Sequence, residues 1–82
     1  MKNKPIVITY RKLGREQAHG LAYKEDREIV IDNRLKGIEL LETIVHEALH
    51  IQHPRFAEIK IIGHSKELAE LLWKQGYRKI DI

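Results

Sequence analysis

The stretch Ile38-Glu39-Leu40-Leu41-Glu42-Thr43-Ile44-Val45-His46-Glu47-Ala48-Leu49-His50-Ile51-Gln52 decides how this chain is read. Its apolar residues fall at 38, 41, 45, 48 and 49, with 40, 44 and 51 flanking, which is the period of a helix with one buried face. Gly37 or Asn33 stands near its start. Pro54 ends it, because a proline pushes the residue before it, here His53, out of the helical region. Inside this helix, His46-Glu47-Ala48-Leu49-His50 is an HExxH sequence. Spacing i, i+4 puts two imidazoles on one face, one turn apart, where both can reach a single Zn²⁺ at about 2.0–2.1 Å. Glu47, one residue on, is placed to contact a water on the metal rather than the metal, and to act there as general base. The plain alternative is an amphipathic helix that merely exposes two histidines. The flanks speak against it. Ile44, Val45, Ala48 and Leu49 make the helix largely buried, and two His and a Glu buried without partners would be costly.

On the N-terminal side, residues 6–11 are β-branched and aromatic and suit a strand. A second short strand is expected over 19–24, around Gly20-Leu21-Ala22-Tyr23. Lys24-Glu25-Asp26-Arg27 reads as a solvated turn. Residues 28–33 then alternate, with Ile29 and Ile31 pointing one way and Val30 and Asp32 the other. The simplest order is a hairpin of 6–11 with 19–24, followed by 28–32, in a small antiparallel sheet. On the C-terminal side a helix is expected from about Ala57 to Lys74, with Ile62, Ala69 and Leu72 on one face and Gly76 as its stop. The expected architecture is α+β, one domain over residues 1–82: three antiparallel strands, then two helices.

Composition narrows the chemistry. The chain has 82 residues, 43% hydrophobic, with no cysteine and five histidines. A domain of this size buries only about 60–65% of its unfolded surface, so the core is thin and a staple is useful. Without cysteine, disulfides and thiolate metal sites are excluded, and a metal falls to His and carboxylate. No apolar run approaches the ~20 residues that span a bilayer. No signal-peptide core follows the basic start Met1-Lys2-Asn3-Lys4-Pro5. A cytoplasmic protein without a membrane partner is the expectation. Lys plus Arg number 15 against 12 Asp plus Glu, a net of +3. The cations are interleaved with acids, and those near the expected turns (Arg11, Lys12, Arg15, Lys24) read as solvated surface. Only Tyr10 and Tyr23 could stack bases beside them, so nucleic acid is not an expected partner.

A catalytic zinc needs a third protein ligand and an open position for water. After His50 the candidates are His53, Glu58, His64, Glu67, Glu70 and Asp81. His53 lies seven residues from His46, about 10 Å along a continued helix, and is a poor third vertex. It reads as a helix-end residue near the C-terminal dipole. Glu67 and Glu70 project from the polar face of the second helix, and Asp81 is in the tail. Glu58 shares the face of Ile62, Ser65, Ala69 and Leu72, in the first turn of that helix, close to where the first helix ended. It could equally be a carboxylate favoured by the helix N-terminus. His64 competes with it, because Gly63-His64-Ser65 could break the helix and present an imidazole.

These residues carry a resemblance. The chain looks like the short HExxH proteins of bacteria and their phages, a minimal form of the gluzincin type of zinc metallopeptidase. The likeness runs through Gly20-Leu21-Ala22-Tyr23, Ile29-Val30-Ile31-Asp32, Glu42 to His50, Pro54, Glu58 and Leu72-Trp73-Lys74-Gln75-Gly76-Tyr77-Arg78. It implies a zincin-like catalytic core that hydrolyses peptide bonds. It also implies His46, His50 and Glu58 as zinc ligands and Glu47 as catalytic acid/base. The step from His50 to Glu58 is shorter than in larger gluzincins. A weaker likeness, to SprT-type proteins, would replace Glu58 by His64. In zincins the strand beside the active-site helix is an edge that receives the substrate as an added strand, and residues 28–33 are the candidate, an interior strand being the alternative.

Two functions follow as expectations. One is a zinc-dependent peptidase acting on a peptide or protein. The other is a non-catalytic module in which zinc staples a thin core and the chain binds another protein. So short a chain has little wall for a cleft, and a second copy in a homodimer, a partner or an exposed substrate would supply it. Thr43 and Glu39 lie on the His46 face as candidates to orient the ligands. Trp73 and Tyr77, four apart, read as helix-end packing, and His19 as surface.

Overall fold

The computed structural model describes residues 4–15 and 18–80. Asp81 lies outside them. Three strands, β1 (Val7–Arg11), β2 (Gly20–Tyr23) and β3 (Glu28–Asp32), precede two helices, α1 (Gly37–Gln52) and α2 (Glu58–Lys74). The class is α+β in the expected element order.

Within the sheet the strand order is β1-β3-β2. β2 and β3 form an antiparallel hairpin, with Leu21 opposite Val30 and Ala22 opposite Ile29. β1 runs parallel to β3, with Val7 beside Glu28 and Arg11 beside Asp32. The antiparallel pairing of β1 with β2 is therefore corrected to a mixed sheet with β3 in the middle, and β3 is interior rather than an edge. The reason lies in Ile29-Val30-Ile31. Ile29 and Ile31 are fully buried, and Val30 and Asp32 nearly so. A strand apolar on both faces belongs in a sheet interior. With β3 central, the loop after Arg11 crosses the end of β3 to reach Gly20, because Arg11 and Gly20 sit beside Asp32 and Ile31 respectively. Backbone bonds fasten that crossing: Asp32 N–H donates to the His19 carbonyl at 2.8 Å and Asn33 N–H to Arg11 at 3.0 Å.

α1 lies on the sheet. Ile29, Ile31 and Ile51 form the buried cluster, and Leu40, Ile44, Ala48, Ala22 and Ile6 pack on it. The stripe that meets the sheet is thus 40, 44, 48 and 51: Ala48 from the expected apolar set, joined by the three positions read from sequence as flanking. Each fully buried Ile contributes about 1.5–3 kcal/mol. α2 packs on α1 and not on the sheet. Its buried residues are Ile61, Ser65 and Ala69, while Ile62, expected inside, is 40% exposed. Ser65 and Ala69 are small and let the helices approach. The Ser65 hydroxyl is satisfied by donating to the Ile62 carbonyl at 3.1 Å. α2 stops at Gly76, whose φ of 89° is left-handed. Gly76 N–H donates to Trp73 O and Tyr77 N–H to Leu72 O, the paired bonds that close a helix C-terminus on a glycine.

Candidate metal centre

α1 supplies the first two groups. His46 and His50 lie one turn apart with ring centroids 4.9 Å apart, and their Nε2 atoms approach to 3.2 Å. Glu58, the first residue of α2, supplies the third. One carboxylate oxygen, Oε1, stands 2.9 Å from Nε2 of His46 and 2.9 Å from Nε2 of His50. The turn at 53–57 makes this meeting possible. His53 N–H still closes on Leu49 O, and Phe56 N–H donates to His53 O, so the chain reverses in a few residues and delivers the first turn of α2 beside the end of α1. Glu58 continues the buried stripe 61, 65, 69 by one more turn and emerges at its open end. The sequence reading had it turned to the core. Its side chain is instead 61% exposed, whereas the imidazoles are 21% exposed.

The donor set fits one cation. Three atoms with lone pairs, two imidazole nitrogens and a carboxylate oxygen, converge on a single point. Ligands at 2.0–2.1 Å on tetrahedral directions stand about 3.3 Å from one another, close to the separations seen. Three ligands would leave a four-coordinate ion one position for water. The ligand types match a zinc site of the two-His, one-Glu kind.

Glu47 is beside this group and not part of it. Its carboxyl is pushed above the usual range, chiefly by burial; positive charge on His46 or His50 would oppose the shift and Glu58 adds to it. A carboxyl held partly out of water keeps a proton more readily than a solvated one.

The cleft around the cluster encloses about 540 Å³. Its walls are α1 (Glu42, Thr43, His46, Glu47), the end of the crossing loop (Ala18, His19), Gly20 of β2, and Glu58 and Ile62 of α2. Gly20 is the wall that spacing did not reveal. A Cβ there would stand 2.9 Å from Thr43 Cγ2 and 3.0 Å from Glu47 Cγ, so β2 lies against this face of α1 only because residue 20 has no side chain. A glycine inside a strand is the available signal. The edge strand beside the site is β2, not residues 28–33. His19, read as plain surface, is exposed and lines the cleft.

Other candidates fall elsewhere. His64 lies outside the cluster, exposed on α2, with its ring 6.2 Å from that of Phe56. His53 is exposed and stacks on Phe56 at 4.3 Å. Thr43 spends its hydroxyl on Glu39 O at 2.7 Å, so it does not orient a ligand. Glu67 and Glu70 are exposed. No helix among the described residues is long and apolar enough to cross a membrane. Comparison with family models, with curated proteins and with solved structures finds no match.

Proposed function

We propose that this chain is a zinc-dependent hydrolase of the metallopeptidase type, acting on peptide bonds. The observation that supports it most is the convergence of His46, His50 and Glu58 within about 3 Å, with the half-buried Glu47 carboxyl, its pKa raised, beside them. His46 and His50 from α1 and Glu58 from α2 would hold the ion. When bound, zinc supplies a Lewis acid that polarises the scissile carbonyl and acidifies a water. Glu47 would take a proton from the water that attacks the carbonyl carbon and pass it to the amine as the C–N bond breaks, so that one group serves as base and as acid. Its partial burial suits both halves, because it lowers the cost of carrying the proton between them. The free edge of β2, held against α1 at Gly20, is the place for an extended substrate to add as a strand.

A second reading keeps the zinc and drops the chemistry: the ion would staple α2 to α1 in a chain with few buried side chains. The exposure of Glu58 favours it, since the cleft has little roof. One experiment separates the two. Zinc content and cleavage of an unfolded protein substrate are measured for the wild type and for Glu47→Gln. Zinc in both, with turnover only in the wild type, is the expected result. Zinc in both with equal inertness leaves the staple. Absence of zinc, with a melting temperature indifferent to chelator, removes both.

A further inference from the structure

α1 borders a second hollow on the side away from the histidines. It encloses about 580 Å³, within the range of small-molecule sites. Its helical wall is Leu40, Leu41 and Ile44, and Leu35 extends it. Trp73 and Tyr77 line it from the end of α2. They were expected as helix-end packing; Trp73 is half-buried beside Gly37, whereas Tyr77 is 64% exposed. Lys36, Arg78 and Lys79 also line the hollow, and among the described residues no acidic one does. All three cations are exposed, so their charges sit at the rim while the floor is apolar.

Arg78 is held in place there. Its Nη1 donates to the carbonyls of Trp73 at 2.8 Å and Tyr77 at 3.0 Å. Its guanidinium carbon lies 3.3 Å from the centre of the Trp73 ring. A guanidinium anchored by one nitrogen and stacked on an aromatic face has little freedom to lose, and its remaining N–H groups match a planar carboxylate. Lys79, over the Tyr10 ring at 5.1 Å, adds positive potential at the same rim.

We propose that this hollow binds a free amphipathic carboxylate of the fatty-acid type, its alkyl chain over Leu40, Leu41 and Ile44 and its head on Arg78 and Lys36. The site is independent of the metal centre. At 100° per residue, 40, 41 and 44 centre about 150° around α1 from His46 and His50. Trp73 is the chain's one tryptophan, so its fluorescence reports on the hollow directly. The test titrates decanoate, kept below its micelle-forming concentration, into the full chain. A saturable change in Trp73 emission is expected. Arg78→Gln should weaken binding about tenfold, the loss of one charge-assisted pair. Lys36→Glu, at an exposed position before α1 where a carboxylate suits the helix dipole, should do the same and carries the test if Arg78→Gln does not fold. Decyltrimethylammonium, with the same chain and opposite charge, should not saturate. The proposal is overturned by an unsaturable response, by equal binding of the cationic analogue, or by wild-type affinity in both variants. A concentration-dependent dimer that shields Trp73 from decanoate would give the hollow to a second copy and overturn it as well.

Discussion

The two faces of α1 meet different kinds of neighbour. On one face His46 and His50 point their nitrogens at each other and at Glu58, all within about 3 Å. On the other, Leu40, Leu41 and Ile44 leave a hollow whose charges, among the described residues, are all cations at its rim. The polar face is under-filled electrostatically: three electron pairs at one point repel unless a proton or a cation lies between them. The apolar face is under-filled sterically: its groups repel nothing and gain by contact with any chain that excludes water. A polar site of this kind is selective in what it takes and sensitive to the loss of one member. An apolar one tolerates single changes and draws its selectivity from the charges at its edge.

The sharpest way to break that contrast is to remove one member of the polar set. His46→Ala should lower zinc affinity by more than about a hundredfold, since even partners that only orient a ligand cost 10–100-fold. Competition with a chromophoric chelator measures it. The wild type should also gain about 2.7 kcal/mol of stability at zinc a hundred times its dissociation constant, and the variant should gain little. Decanoate binding should be the same in both. A wild-type melting temperature blind to zinc would erase the difference between the faces.

Next in size is a comparison of two glycines. At Gly20 a methyl group would meet Thr43 at 2.9 Å and Glu47 at 3.0 Å. Gly20→Ala should therefore cost about 1–3 kcal/mol as β2 is pushed off α1, and it should lower turnover by shifting Glu47. At Gly63, inside α2, nothing lies within 4 Å of an added Cβ, and Gly63→Ala should gain about 0.5–1 kcal/mol of helix stability. Urea melts of the two variants give the signs. Two gains would mean that β2 does not press on the site.

How much of this was readable in the chain depends on how local the determinant is. α1 and its two histidines are set by a period within fifteen or so residues, and the sequence reading found them. Glu58 was reachable because the turn after Pro54 is short, which confines its place beside the end of α1. The strand order was not reachable from alternation alone, because pairing is a contact between distant residues. The useful signal was present and misread: Ile29-Val30-Ile31 is an unbroken apolar run, which marks a strand with neighbours on both sides, rather than one face in and one face out. Ile61 and Ile62 are a similar case. Adjacent isoleucines on a helix differ by about 100°, and which one is buried depends on where α1 lies, which sequence periodicity leaves open. Gly20 was legible only as a strand glycine, and Thr43 and Glu47, the groups that forbid its Cβ, come from another element.

The smallest expected effect lies at the end of β3, between the two faces and belonging to neither. Asp32 is nearly buried, and its two oxygens accept from Arg34 Nη2 at 2.6 Å and Nε at 2.9 Å. Those side-chain bonds, with the Arg34 backbone N–H and then its charge, hold the Asp32 carboxyl far below the usual carboxylate range; the Leu13 N–H adds a little and burial opposes. A carboxyl depressed on folding adds stability that is fully present above its unfolded pKa of about 3.9 and is lost as pH falls toward the folded value. Asp32→Asn should therefore melt below the wild type at neutral pH, and the gap should narrow steadily as the pH drops below about 4. Arg34 is 57% exposed on its side chain, so salt screens the pair and added salt should narrow the gap further. Zinc and decanoate affinities should not move at neutral pH, because Asp32 donates no group to either site. A gap that stays constant from neutral pH to pH 2 would show that the carboxylate's charge contributes nothing there. The loss in the asparagine variant would then have to come from the turn that Asp32 closes with the Arg34 N–H, a local cost that leaves the contrast between the two faces of α1 untouched.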